Sequence, residues 1–200
     1  MCGITLYISK KHTTNAINHV INSLYELQNR GYDSFGIAYF DKETNEFKTN
    51  KRSIYCGDGD TYQLFKEETK MLSSTICMGH SRWATHGKVD INNAHPHVSN
   101  NKIFYLIHNG IIENYKELKH FLIEKGYSFY SETDSEIIVN LIEYFYLKEE
   151  TNIDTKKAIY DAIGLLQGTY GLVIFHQENH DCAYVIKKGS PLLISETDDE

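Results

Sequence analysis

The chain has 200 residues, of which 41% are hydrophobic and 12% aromatic, enough apolar material for the core of one domain and too much for a disordered segment. Its 20 Lys and Arg against 27 Asp and Glu give a formal charge of −7, spread in short alternations such as Lys66-Glu67-Glu68, so no basic stripe is offered to nucleic acid. With no run of about 18 apolar residues, no charged-then-apolar leader and no C-x-x-C pair among Cys2, Cys56, Cys77 and Cys182, the expectation is one cytoplasmic domain with reduced thiols and no membrane span.

Gly3 to Ser9 is a short apolar run with β-branched residues and reads as a buried strand beginning almost at the first residue. Thr13 or Thr14 is placed to cap a helix in which Ala16, Val20, Ile21, Leu24 and Leu27 recur near helical spacing, with Gly31 as its stop. Phe35 to Phe40 and Phe47 to Tyr55 follow as strands. After the turn-rich Cys56-Gly57-Asp58-Gly59-Asp60 comes a short polar helix around Gln63 to Met71. Thr75 to His80 and Ile103 to His108 are strands on either side of a long irregular stretch, and loops of that length in compact domains often carry function. Three helices are expected next, at Glu113 to Lys125, Asp134 to Leu147 and Thr155 to Leu166. The second of them opens on Thr133-Asp134-Ser135-Glu136, which fits a capping box. Tyr170 to His176, Cys182 to Lys187 and Leu192 to Ser195 read as closing antiparallel strands. Because strands and helices fall in blocks, the class is α+β, with helix layers packed on antiparallel sheets.

Several residue groups could carry chemistry. Cys2 heads the first strand, and once Met1 is removed a single residue would supply both a thiol and an α-amine whose reference pKa values are about 8.5 and 7.7 to 8.0. Threonine nucleophiles activated by their own amine are the template for that arrangement. In the block from His80 to Gly87, the planar fork of Arg82 matches a carboxylate and Thr85 adds a hydroxyl; a surface ion pair and a core Trp83 serve as the plain alternative. Asn109-Gly110 could aim two donors at one oxygen, as an oxyanion hole requires, and is equally the commonest tight-turn signal. The carboxylate of Asp134 can cap a helix or pair with a ligand ammonium. Five histidines between His80 and His108 raise zinc as a rival, but no H-E-x-x-H or C-x-x-C spacing accompanies them, so no metal or other cofactor is expected.

Taken together, the chain resembles one family along nearly its whole length. The shared motifs run in order through Met1-Cys2-Gly3-Ile4, RGYDS (30–34), SRWATHG (81–87), NAHPHVS (93–99), HNGIIENY (108–115), SETDSE (131–136), Gly168-Thr169-Tyr170-Gly171 and Gly189-Ser190-Pro191-Leu192. They are similar to the N-terminal glutaminase domain of the glucosamine-6-phosphate synthases, a branch of the class II glutamine amidotransferases. The resemblance implies the αββα sandwich of N-terminal nucleophile hydrolases. It also implies Cys2 as nucleophile, Asn109 and Gly110 as the oxyanion hole, and Arg82, Thr85, His86 and Asp134 around L-glutamine. Trp83 falls at the family's ammonia route, and Arg30 and His97 at supporting positions. By the same resemblance residues 1–200 form one glutaminase domain, cut short at its C-terminal edge and without the sugar-phosphate isomerase portion. Fructose 6-phosphate would engage only through that portion, and full-length members of the family are expected to be homo-oligomers. Two readings of other classes stand beside this one: a glutamine-binding relic, against which Cys2 counts, and an amidohydrolase for larger amides, against which the Arg82 and Asp134 pair counts.

Overall fold

The computed structural model describes residues 2–9, 15–54, 60–83, 88–148 and 154–196. Strand β1 (Gly3–Ile8) leads to helix α1 (Ala16–Glu26), β2 (Ser34–Asp41), β3 (Glu46–Ser53), α2 (Thr61–Thr69) and β4 (Ile76–Arg82). These four strands pair antiparallel in the order β1-β4-β2-β3. The second half contains β5 (His97–Val98), β6 (Phe104–Ile112), α3 (Tyr115–Glu124), α4 (Ser135–Lys148), α5 (Thr155–Gly164), β7 (Gly168–His176) and β8 (Asn179–Lys188). Its strands form another antiparallel sheet in the order β5-β6-β7-β8.

The period-2 alternation of each strand decides which apolar seam a residue joins. In β2, Phe35, Ile37 and Tyr39 join Ile17, Val20 and Leu24 of α1 and Phe65 of α2, whereas Ala38 and Phe40 join the seam between the sheets. In β6, Phe104 and Leu106 pack with Ile138, Leu141 and Ile142 of α4, and Tyr105 and Ile107 meet Met78, Val173 and Phe175 between the sheets. Both faces of both central strands are therefore apolar, which requires a layer on each side. The outcome is the expected αββα sandwich, with α1 and α2 over one sheet and α3, α4 and α5 over the other. Among the described residues, no helix is long and apolar enough to cross a membrane.

The same alternation positions polar residues. On β4, His80 and Arg82 share the parity of Ile76 and Met78 and so point between the sheets; on β6, Asn109 shares that of Tyr105 and Ile107. The seam that is apolar at one end of the sandwich thus becomes polar at the other.

Some local expectations are revised. The cap of α1 is Asn15, whose side chain accepts from the Ile17 N–H, and Thr13 and Thr14 lie outside the described residues. The helix ends at Glu26, and a 3-10 turn over Gln28–Arg30 carries the chain to Gly31. Cys56 to Gly59 also lie outside the described residues, while Asp60 caps α2 through the Tyr62 and Gln63 N–H groups. Strand β6 runs through Asn109-Gly110 to Ile112 instead of ending at His108. Leu192 to Ser195 forms no strand; Leu193 is fully exposed, and the segment lines a cleft of about 640 Å³ between the β1 and β8 edges. The capping box at α4 does not close, because the Glu136 carboxylate is taken by the Tyr130 and Ser131 N–H groups and the Ser131 hydroxyl.

Candidate active site

Where β1, β4 and β6 end together, their polar residues and the start of α4 line a cleft of about 530 Å³, within the size range of small-molecule sites. Cys2 sits immediately before β1, which pairs with β4 so that Gly3 opposes Ser81. Its Sγ accepts the Trp83 backbone N–H at 3.2 Å. The same thiol can donate to the Trp83 carbonyl at 3.7 Å. The Cys2 carbonyl accepts from Asn109 Nδ2 at 2.8 Å and from Arg30 Nε at 3.4 Å. Residue 2 is thereby gripped from β6 and from the turn after α1 while its sulfur faces the cleft.

Asn-Gly does not make a turn here, for a steric reason. Gly110 has φ 145°, and a Cβ at that position would lie 2.0 Å from the Thr169 carbonyl oxygen on β7. Only glycine fits that conformation and that approach. Gly110 lines the cleft beside Asn109.

Charge is arranged in two places. Arg82 is nearly buried, and burial lowers its pKa somewhat from the ordinary value, opposed by Cys2, Asp33 and Glu132, so it remains a cation. Its Nη1 donates to the Lys88 carbonyl at 3.2 Å. Glu132 accepts the Lys88 N–H and the Asn93 side-chain amide, which anchors the far side of the loop after β4. Asp134 lies at the entry to α4, where its Oδ2 accepts the Ile112 N–H at 2.8 Å and its Oδ1 is 3.9 Å from His108 Nδ1. Burial holds the His108 pKa below its usual value although Asp134 pulls the other way, so near neutral pH the imidazole is uncharged and leaves the carboxylate charge uncompensated. The cleft thus offers cations, Arg82 and Arg30, and carboxylates, Asp134 and Glu132, to a ligand that carries both signs.

Of the residues singled out in the sequence, Cys2, Arg30, Arg82, Trp83, Asn109, Gly110 and Asp134 line this one cleft. Thr85 and His86 lie outside the described residues. His97 does not line it; its Nε2 meets the Thr133 hydroxyl at 3.0 Å, one residue from Asp134, so it supports the wall from behind. In the sequence Thr133 and Ser135 read only as part of a capping box, and no place in the site is given to them, to Glu132 or to the Ile112 N–H, which build the Asp134 side of the cleft. Among the described residues, no group of three or more His, Cys, Asp or Glu is arranged to hold a metal.

The glutamine amidotransferase domain family matches residues 80–197. Glutamine–fructose-6-phosphate aminotransferase [isomerizing] of Caldanaerobacter subterraneus is 38% identical over 97% of this chain, and that of Staphylococcus aureus is 41% identical over the same share. The chain spans about 30% of the length of these curated relatives. Among solved structures, the B. subtilis glutamine phosphoribosylpyrophosphate amidotransferase complexed with ADP and GMP superposes with a TM-score of 0.68 at 22% identity, over 88% of this chain and 35% of that one.

Proposed function

The chain belongs to the glutamine amidotransferase domain family, and on that premise we propose that residues 1–200 act as a glutaminase unit that hydrolyses L-glutamine to glutamate and ammonia through a Cys2 thioester. The observation that carries this reading is the convergence of Cys2, Asn109, Arg82 and Asp134 on one cleft. With Met1 removed, the Cys2 α-amine takes the thiol proton, directly or through a water, and sulfur attacks the side-chain amide carbon. The Asn109 Nδ2–H and the Gly110 N–H hold the oxyanion. Its collapse breaks the C–N bond, and the leaving nitrogen takes the proton back and departs as ammonia. Water then attacks the thioester, the amine again accepting a proton, and glutamate leaves as the thiol is restored. Trp83, 44% exposed at the rim, flanks the route by which ammonia leaves.

Arg82 binds the α-carboxylate in this reading, with Thr85 and His86 completing that side, and Asp134 binds the α-ammonium. Arg82→Ala and Asp134→Ala are each expected to lower kcat/KM by about 2 to 5 kcal/mol, mostly through KM. The check is a matched pair of substrates. A glutamine analogue without the α-carboxylate is a poor substrate for the parent but no worse than glutamine for Arg82→Ala. If Arg82→Ala still discriminates the two as the parent does, the carboxylate is held elsewhere.

The relatives are named for glutamine and fructose 6-phosphate, and we infer the same destination for the ammonia made here, through an isomerase portion outside these 200 residues. The sequence carries neither a G-x-G-x-x-G nor a G-x-x-x-x-G-K-[ST] segment of the kind that cradles a phosphate. Incubation with glutamine and fructose 6-phosphate is therefore expected to give glutamate and free ammonia, no glucosamine 6-phosphate, and no stimulation by the sugar. Amino sugar formed by this chain alone overturns the glutaminase-only assignment, and absence of glutamate overturns activity of the isolated unit.

A further inference from the structure

A side-chain amide is an oxyanion donor only in one of its two orientations. Rotated by half a turn, Asn109 would present its carbonyl oxygen to the developing negative charge and repel it. What selects the orientation is therefore part of the machinery.

The contacts of Asn109 leave one solution. The Cys2 carbonyl can only accept, so the group 2.8 Å from it is the NH2 of Asn109. Oδ1 must then be the atom that lies 3.0 Å from His80 Nε2, and since it can only accept, Nε2 carries the hydrogen. Burial pushes the His80 pKa down to about 3, with the Asn109 hydrogen bond acting in the opposite direction and His108 and Arg82 adding to the lowering. Near neutral pH His80 is consequently an uncharged imidazole with its proton on Nε2.

The ring that makes this contact is itself held. His80 lies 4.1 Å from the His95 ring, and His95 meets His97 edge-on at 4.6 Å. His97 is tied through Nε2 to Thr133, a residue lining the cleft. On the β2 side, a Cβ at Gly36 would fall 1.9 Å from the His95 carbonyl oxygen, so this backbone is packed against the strand with no room to move. A row of buried imidazoles thus spans from the oxyanion donor to the Asp134 side of the cleft.

We propose that His80 is the positioning residue for the oxyanion hole, donating from Nε2 to Asn109 Oδ1 and so fixing the side-chain amide with its N–H groups toward Cys2 and the substrate. This rests on the thioester reading above, in which Asn109 stabilises the oxyanion. Because the oxyanion exists only after attack, losing the His80 donor lowers kcat and leaves glutamine binding nearly unchanged.

Two measurements test it. In the intact chain, long-range proton–nitrogen NMR of the histidine rings is expected to show His80 as the neutral Nε2–H form from pH 5.5 to 8; a proton on Nδ1 alone, or an imidazolium in that range, overturns the assignment whatever the activity. For kinetics, His80→Phe keeps a ring against His95 without the donor, and His80→Gln returns an N–H near the Nε2 position. His80→Phe is expected to lose roughly 10- to 100-fold in kcat, the scale of an approximately 1 Å misplacement, with KM little changed and Cys2 alkylation by iodoacetamide as fast as in the parent. His80→Gln recovers most of the loss, and adding His80→Phe to Asn109→Ala costs nothing further. Equal losses in the presence and absence of the Asn109 amide, or no recovery in a folded His80→Gln, overturn the proposal. Full kcat in Asn109→Ala would instead remove the oxyanion role itself, a failure the NMR result distinguishes from loss of the His80 contact.

Discussion

Cys2→Ser is expected to abolish glutamine hydrolysis, with a loss on the order of 10⁴-fold or more, the scale seen when the nucleophile of a serine hydrolase is removed. The substitution changes one atom and little volume, so the fold and the Trp83 N–H contact at the side chain are retained, and the deficit falls on ionisation. An alcohol is far less ionised near neutral pH than a thiol. The α-amine of a mature residue 2 is well matched to a thiol near 8.5; a hydroxyl it can assist only during the attack itself, in a site whose geometry is set for sulfur. A glutamine-like diazoketone is expected to add once to the parent, at residue 2 of a chain lacking Met1. Intact-mass and peptide-mapping spectrometry reads both points. Label on Cys77, which is buried and whose thiol burial pushes well above its usual range, or on Cys182 at the β8 edge, would falsify the assignment. So would an active preparation in which Met1 is quantitatively retained.

The parts of the fold legible in the sequence are those with a strong local signal. Phe35, Ile37 and Tyr39 alternate with Gly36, Ala38 and Phe40, and an apolar residue on both faces already demands two layers over β2. Local signals misled where tertiary partners decided. Asn109-Gly110 has the composition of a turn, yet the Thr169 carbonyl lies where a Cβ would be, and the pair continues a strand. Thr133 and Glu136 have the spacing of a capping box, but both side chains are engaged by residues 131 and 97 or 130 and 131 instead. Leu192 to Ser195 is apolar enough for a strand and lacks a paired neighbour among the described residues.

For the site, the residue types were legible and their meeting was not. Cys2 and Asn109 are separated by 107 positions, and nothing in spacing brings them to 2.8 Å; the resemblance to a family supplied that expectation. His80 illustrates the remaining gap. It stands two residues before Arg82 on the same strand face, so parity alone points it between the sheets, but only the partner across the seam reveals whether it meets a ligand, a core or another side chain. Residues that position other residues leave little trace in composition.

Asn109→Ala is expected to lower kcat by roughly 10² to 10³-fold, the effect of removing one oxyanion donor, with glutamine binding changed little. The split between kcat and KM follows from when the charge appears: the amide N–H meets a neutral carbonyl oxygen in the bound substrate and a full negative charge only after attack. The Gly110 N–H remains, which keeps the loss below that of Cys2→Ser. One complication is structural, because Asn109 Nδ2 also holds the Cys2 carbonyl, and its removal could loosen the nucleophile. The two effects separate by reagent. Alkylation of Cys2 by iodoacetamide passes through no oxyanion, so its rate reports the placement and ionisation of sulfur alone. A normal alkylation rate beside a large fall in kcat assigns Asn109 to the oxyanion, and Asn109→Asp serves as the sharper companion because it places a carboxylate where the donor stood. If alkylation falls in step with kcat, Asn109 acts by holding residue 2, and stabilisation of the oxyanion passes to the Gly110 backbone.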